Sequence, residues 1–132
     1  MSITDVQTPP RWKAIVFWGL KGLLAAVFLL AGGMKIYGLP MMVQEFEHMG
    51  LGQWFRYFTG TLEVVGAVTI LVPSLAAFGA VLLSCIMVGA IATHLLLIGG
   101  SPIPAVVLLA LSATVAFARR DQISAVFDRD DG

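Results

Sequence analysis

From Val64 to Ala118 the chain runs for 55 residues without an Asp, Glu, Lys or Arg. His94 and the Cys85 thiol are the only groups in that stretch that ionise. A helix with one face in water needs polar residues along it, and a chain of 132 residues has too much surface to hide so long a run. Lipid removes the requirement. Composition agrees, with 12% charged residues against about 25% in soluble domains. The 58% hydrophobic content also excludes disorder. A lone cysteine excludes a disulfide scaffold. Zero net charge gives no basic field for nucleic acid. The expectation is one integral membrane domain, residues 1–132, whose first partner is the lipid bilayer.

Four apolar segments can be drawn, over about 14–37, 58–72, 75–98 and 103–118. A perpendicular crossing takes about 20 residues. The second and fourth segments are short by that measure, and their aromatic and Arg flanks extend them to the interfaces. Pro73-Ser74 and Gly99-Gly100-Ser101-Pro102 are turns too short to cross a bilayer, so each joins antiparallel helices. Between the first two segments, Met42, Val43, Phe46 and Met49 repeat on one helical face. Gln44, Glu45, Glu47 and His48 fill the other. Pro40 begins this piece and Gly50 stops it, which predicts an amphipathic helix over about 40–49 lying in the interface. The predicted fold class is all-α: a four-helix transmembrane bundle with a short amphipathic interfacial helix between spans one and two. The terminal Asp128–Gly132 segment reads as a solvated acidic end.

Basic residues orient such a bundle. Arg11, Lys13, Arg119 and Arg120 flank the side carrying both termini, and Lys35 and Arg56 flank the other. Four against two predicts cytoplasmic termini in a bacterial-type inner (plasma) membrane. Cleavage as a signal peptide at Ala31-Gly32-Gly33 is not expected, because Lys21 interrupts an apolar run already too long for a signal core.

Ionisable groups inside spans point to function by default. Lys35 near the end of span one, Glu63 in span two and His94 in span three lie within about two helical turns of one interface. Small residues beside Glu63 (Thr59, Gly60, Gly66, Ala67) mark a packed face. The three are ligand-binding or proton-relay candidates. The competing role is helix glue for Glu63, a satisfied core position for His94 and snorkelling for Lys35. Lys21, about 40° around the helix from Lys35, is a secondary candidate: it snorkels, or it meets an anionic ligand or lipid headgroup on the inner side. Two histidines and one cysteine do not make a metal or haem site. Spans three and four hold no acid for a Ser–His–Asp set. No cofactor motif is evident, and no self-contained catalytic motif, so the chain leans away from being an enzyme in its own right. A quinone pocket remains open, as does a homo-oligomer.

The segments AGGMKIYG and TLEVVGAVTILVP resemble the AGxxK and GxxEVxGAxxLLxP motifs of DoxX-like membrane proteins. AAFGAVLLSCIMVGAIATHLLLIGGSP and PIPAVVLLALSATVAFARR are similar to that family's third and closing spans. The resemblance covers about Val16 to Arg120 and carries over Lys35, Glu63 and His94. It implies a four-helix membrane bundle and links to thiosulfate:quinone oxidation, to membrane thiol and oxidative-stress complexes and, more distantly, to chaperone or cargo roles. Three functions follow as expectations: an accessory subunit of a membrane redox complex, a structural or assembly factor, and a small oligomeric transporter.

Overall fold

A computed structural model of the chain describes residues 10–130, with side chains to residue 128. Six helices follow in order: α1 (Arg11–Tyr37), α2 (Pro40–Met49), α3 (Gln53–Leu71), α4 (Ala76–Thr93), α5 (Ile103–Ala118) and α6 (Arg120–Asp130). A 3₁₀ turn at Pro73–Leu75 precedes α4 and a π-helical turn at His94–Ile98 follows it. No strand occurs among the described residues.

The breakers act where their chemistry requires. Gly38 and Gly50 end α1 and α2 with φ of 83° and 75°, in the left-handed region that a side chain would strain. Pro40 opens α2, in the first turn where its missing N–H leaves no bond unmade.

α1 packs on α3, α3 on α4, and α4 on α5; a smaller contact returns from α5 to α1. The seams follow the sequence. On α1 the covered positions are Lys21, Leu24, Ala25, Phe28 and Gly32, and on α3 they are Arg56, Gly60, Glu63, Gly66, Ala67 and Ile70. Apart from the adjacent pairs Leu24-Ala25 and Gly66-Ala67, both rows advance by three or four residues, as a helix–helix seam requires. Glycines set how close the helices come. A Cβ on Gly79 would lie 2.5 Å from the Ile70 backbone nitrogen, and one on Gly32 would lie 2.7 Å from the Gly60 carbonyl oxygen. Backbones pack at this distance only where small residues face each other. Leu24, Phe28, Ile70, Leu83 and Val115 fill the centre. Leu23, Leu30, Val65, Val88 and Val107 point outward, which suits lipid.

Two helical segments are long and apolar enough to cross a membrane, Arg11–Tyr37 and Pro73–Ile98. A third exists if α5 and α6, bent by 52° at their junction, form one span. α3 carries Arg56 and Glu63 and falls outside that set. It begins at Gln53, five residues before the drawn segment. Of the predicted acidic end, Asp128 is described and is exposed. Residues 120–130 form α6, in which Ile123, Val126 and Phe127 share one helical face; residues 131–132 lie outside the described residues. Gln122 ties α6 to the α3–α4 turn: its Oε1 accepts from the Ala77 N–H at 3.0 Å, and its Nε2 donates to the Pro73 carbonyl at 2.6 Å.

Candidate functional site

At the α2 end of the bundle, α1 and α3 cross at Gly32 and Gly60, with Lys35 one turn to the α2 side of this crossing and Glu63 one turn to the other. Lys35 Nζ lies 3.0 Å from Glu63 Oε1 and 3.3 Å from Oε2. Glu63 is 2% exposed and Lys35 is 16% exposed. The pair spends both carboxylate oxygens on one ammonium and leaves that ammonium a third N–H.

Beside the pair is a cavity of about 350 Å³. α2 contributes Glu45, Phe46 and Met49, and α3 contributes Phe55, Phe58, Thr59, Leu62 and Glu63. Cys85, Met87, Ala90 and Thr93 come from α4, with His94 and Ile98 from the π turn. Lys35, Glu63 and His94, at one depth in the sequence, line this one cavity. Only Lys35 and Glu63 touch each other; His94 does not join them. His94 Nδ1 lies 2.9 Å from the Gly99 carbonyl oxygen. A carbonyl only accepts, so Nδ1 carries the proton and Nε2 is left for a ligand. The π turn shifts the side-chain register at the end of α4, and the imidazole closes its own loop instead of joining the ion pair.

Arg56 was placed by the sequence as an interfacial flank. It is 5% exposed. Its guanidinium donates to the Lys35 carbonyl at the end of α1, and its Nε donates to Gln53 Oε1 at 2.8 Å. Gln53 Nε2 in turn donates to the Val43 carbonyl of α2 at 3.0 Å. A cation over a helix C-terminus is favourable. Gly38 has room for this guanidinium; a Cβ there would be 3.0 Å from Arg56 Nη1. This chain of bonds holds α2 over the cavity, with Phe46 (2% exposed) inserted and its ring centroid 5.9 Å from that of Phe55. The signal was present: Arg56 stands seven residues before Glu63, on the same face of α3.

Lys21 is 3% exposed and its ammonium lies 3.5 Å from the Trp18 ring centroid. It is on α1 four turns from Lys35, away from the cavity.

The model of the DoxX-like family matches residues 19–121. The chain belongs to the DoxX-like family. This DoxX-like chain is also similar to the uncharacterized protein YdgD of Bacillus subtilis (strain 168), with 40% identity over 75 residues. The matched part covers 53% of the chain and 66% of YdgD, just under two thirds. No solved structure gives a significant match. Family membership and the apolar helices together make the DoxX-like chain a membrane protein.

Proposed function

We propose that this DoxX-like protein is an accessory subunit of a membrane redox complex and that its cavity receives the headgroup of a quinone-class ligand. The observation that supports this is the polar pattern on an apolar wall. A volume of about 350 Å³ is at the small end of ligand sites, roughly 300–1,000 Å³. That suits a ring whose tail leaves between helices. Lys35 keeps a donor for a carbonyl oxygen, and the His94 Nε2 is left to bond a hydroxyl. A quinone supplies two-electron chemistry with its protons; the chain's own residues bind and orient the ring and exclude water. The expected result is saturable binding of a short-chain quinone to purified protein, weakened about tenfold by His94→Ala. Absence of saturable binding overturns the proposal.

The ion pair favours a second function. Lys35–Glu63 and the Arg56 bond to Lys35 both join α1 to α3, as a structural or assembly factor with helix glue would require. For that role Glu63→Gln lowers thermal stability whether or not quinone is present, and affinity capture recovers a partner membrane protein without it.

The same proposal has four crossings, α3 included, with termini in the cytoplasm of a bacterial-type inner membrane. The excess of Arg11, Lys13, Arg119 and Arg120 at one end supports it. Reporter fusions at the C-terminus and in the Gly99–Ser101 turn test it; a C-terminal reporter active only outside the cell refutes it.

A further inference from the structure

The opposite end of the bundle carries polar groups that the cavity does not use. Lys21 is 3% exposed, yet among the described residues it has no carboxylate partner. Its ammonium faces aromatic rings, with centroids at 3.5 Å (Trp18) and 4.9 Å (Phe17). Such faces attract a cation but do not satisfy three N–H donors. Arg119, where α5 ends, stands at the same end of the bundle, in which α5 packs against α1, and its Nε is buried without a hydrogen-bond partner. Ser112, two turns earlier on the same face of α5, is fully buried with its hydroxyl likewise unpartnered.

The other charged and polar groups at this end do not offset the two cations. Arg11 and Lys13 add positive charge and are exposed, as are Asp121 and Asp128. Arg120 Nη1 donates to the Phe117 carbonyl, and the Gln122 amide is committed to Ala77 and Pro73. A covered Lys21 beside an Arg119 whose Nε lacks a partner is unfavourable in a low-dielectric setting unless an anion joins the two cations. The surroundings say what carries the anion. The site is at the junction where α6 turns away from α5 by 52°. Trp12, Ile15, Val16 and Trp18 on the neighbouring turns of α1 expose apolar surface.

We propose that Lys21 and Arg119 form a binding site for a phosphate oxyanion, that of an anionic phospholipid headgroup whose acyl chains lie along the exposed aromatic side of α1. The site is independent of the quinone proposal and lies at the other end of the molecule.

The test uses the full chain in detergent, titrated with dioleoylphosphatidylglycerol, dioleoylphosphatidylcholine or inorganic phosphate and read by native mass spectrometry and thermal unfolding. Phosphatidylglycerol is expected to bind at least about tenfold more tightly than phosphatidylcholine. Lys21→Met and Arg119→Gln each weaken it roughly ten- to a hundredfold. Lys21→Met keeps the apolar stem and removes a buried charge, so it folds. Lys21→Arg retains binding, and Lys13→Gln, an exposed charge, changes it by less than about threefold. If inorganic phosphate displaces the lipid and raises the unfolding temperature of the wild type but of neither variant, the oxyanion site stands and free phosphate is its source. Equal affinity for the two lipids with no effect of phosphate overturns the proposal. So does phosphatidylglycerol binding undiminished in both variants.

Discussion

Gly32 and Gly33 are neighbours on α1, and alanine at the two positions is expected to act with opposite sign. A Cβ on Gly32 falls 2.7 Å from the Gly60 carbonyl oxygen, 2.9 Å from Val64 Cγ2 and 3.2 Å from Glu63 Cβ. Ordinary contact begins at 3.4 Å, so the nearest atom is too close by about 0.7 Å. That atom is backbone, and no rotamer change relieves it. α1 and α3 must separate at the crossing that holds the Lys35–Glu63 pair at 3.0 Å. Overpacking of this kind costs about 1–3 kcal/mol, and the helix-propensity gain of alanine over glycine offsets about 1 kcal/mol of it. A weakened ion pair adds to the loss. The expected net effect of Gly32→Ala is a destabilisation of about 1–2 kcal/mol. At Gly33 nothing lies within 4 Å of the added Cβ, so only the propensity term acts and Gly33→Ala gains up to about 1 kcal/mol. Unfolding in detergent micelles, followed by circular dichroism against added SDS, measures both. A Gly32→Ala protein as stable as wild type, or a Gly33→Ala protein that loses as much as Gly32→Ala, refutes the α1–α3 crossing described above.

Three further outcomes are expected. Lys35→Met leaves Glu63 buried without its cation and destabilises toward the lower end of about 3–5 kcal/mol, since Lys35 is partly exposed; Lys35→Met combined with Glu63→Leu recovers to within about 1 kcal/mol of wild type. The same unfolding assay checks this, and a double variant as unstable as the single one contradicts it. Gln122→Ala removes the bonds to Ala77 and Pro73 and lowers stability by about 1–2 kcal/mol, with faster amide exchange in the first turn of α4. The Cys85 thiol is exposed and lines the cavity, so a bound quinone slows its alkylation by an apolar maleimide; an unchanged rate at saturating quinone places the ligand elsewhere.

What was legible in the sequence is what periodicity and solvent demand can express. The charge-free run from Val64 to Ala118 contains α4 and α5, and Pro and Gly mark the helix ends. The face of Met42, Val43, Phe46 and Met49 gave α2, because amphipathicity is a local property of ten residues. α6 follows the same rule: Ile123, Val126 and Phe127 share a face, although the polar residues around them dominate the composition. Depth along a span also follows from counting, which is why Lys35, Glu63 and His94 line one cavity. Contact does not follow from counting. It depends on rotation about each helix axis and on local departures from 3.6 residues per turn. The π turn at His94–Ile98 is such a departure, and it turned the imidazole to Gly99. Arg56 and Lys21 mark the same boundary from the other side. Both are long cations near span ends, the usual candidates for snorkelling, yet both are covered. Arg56 is covered because a helix C-terminus offers it a carbonyl. Lys21 has no such acceptor among the described residues, so the two buried cations separate by what they meet: one is explained within the chain, and the other calls for a ligand.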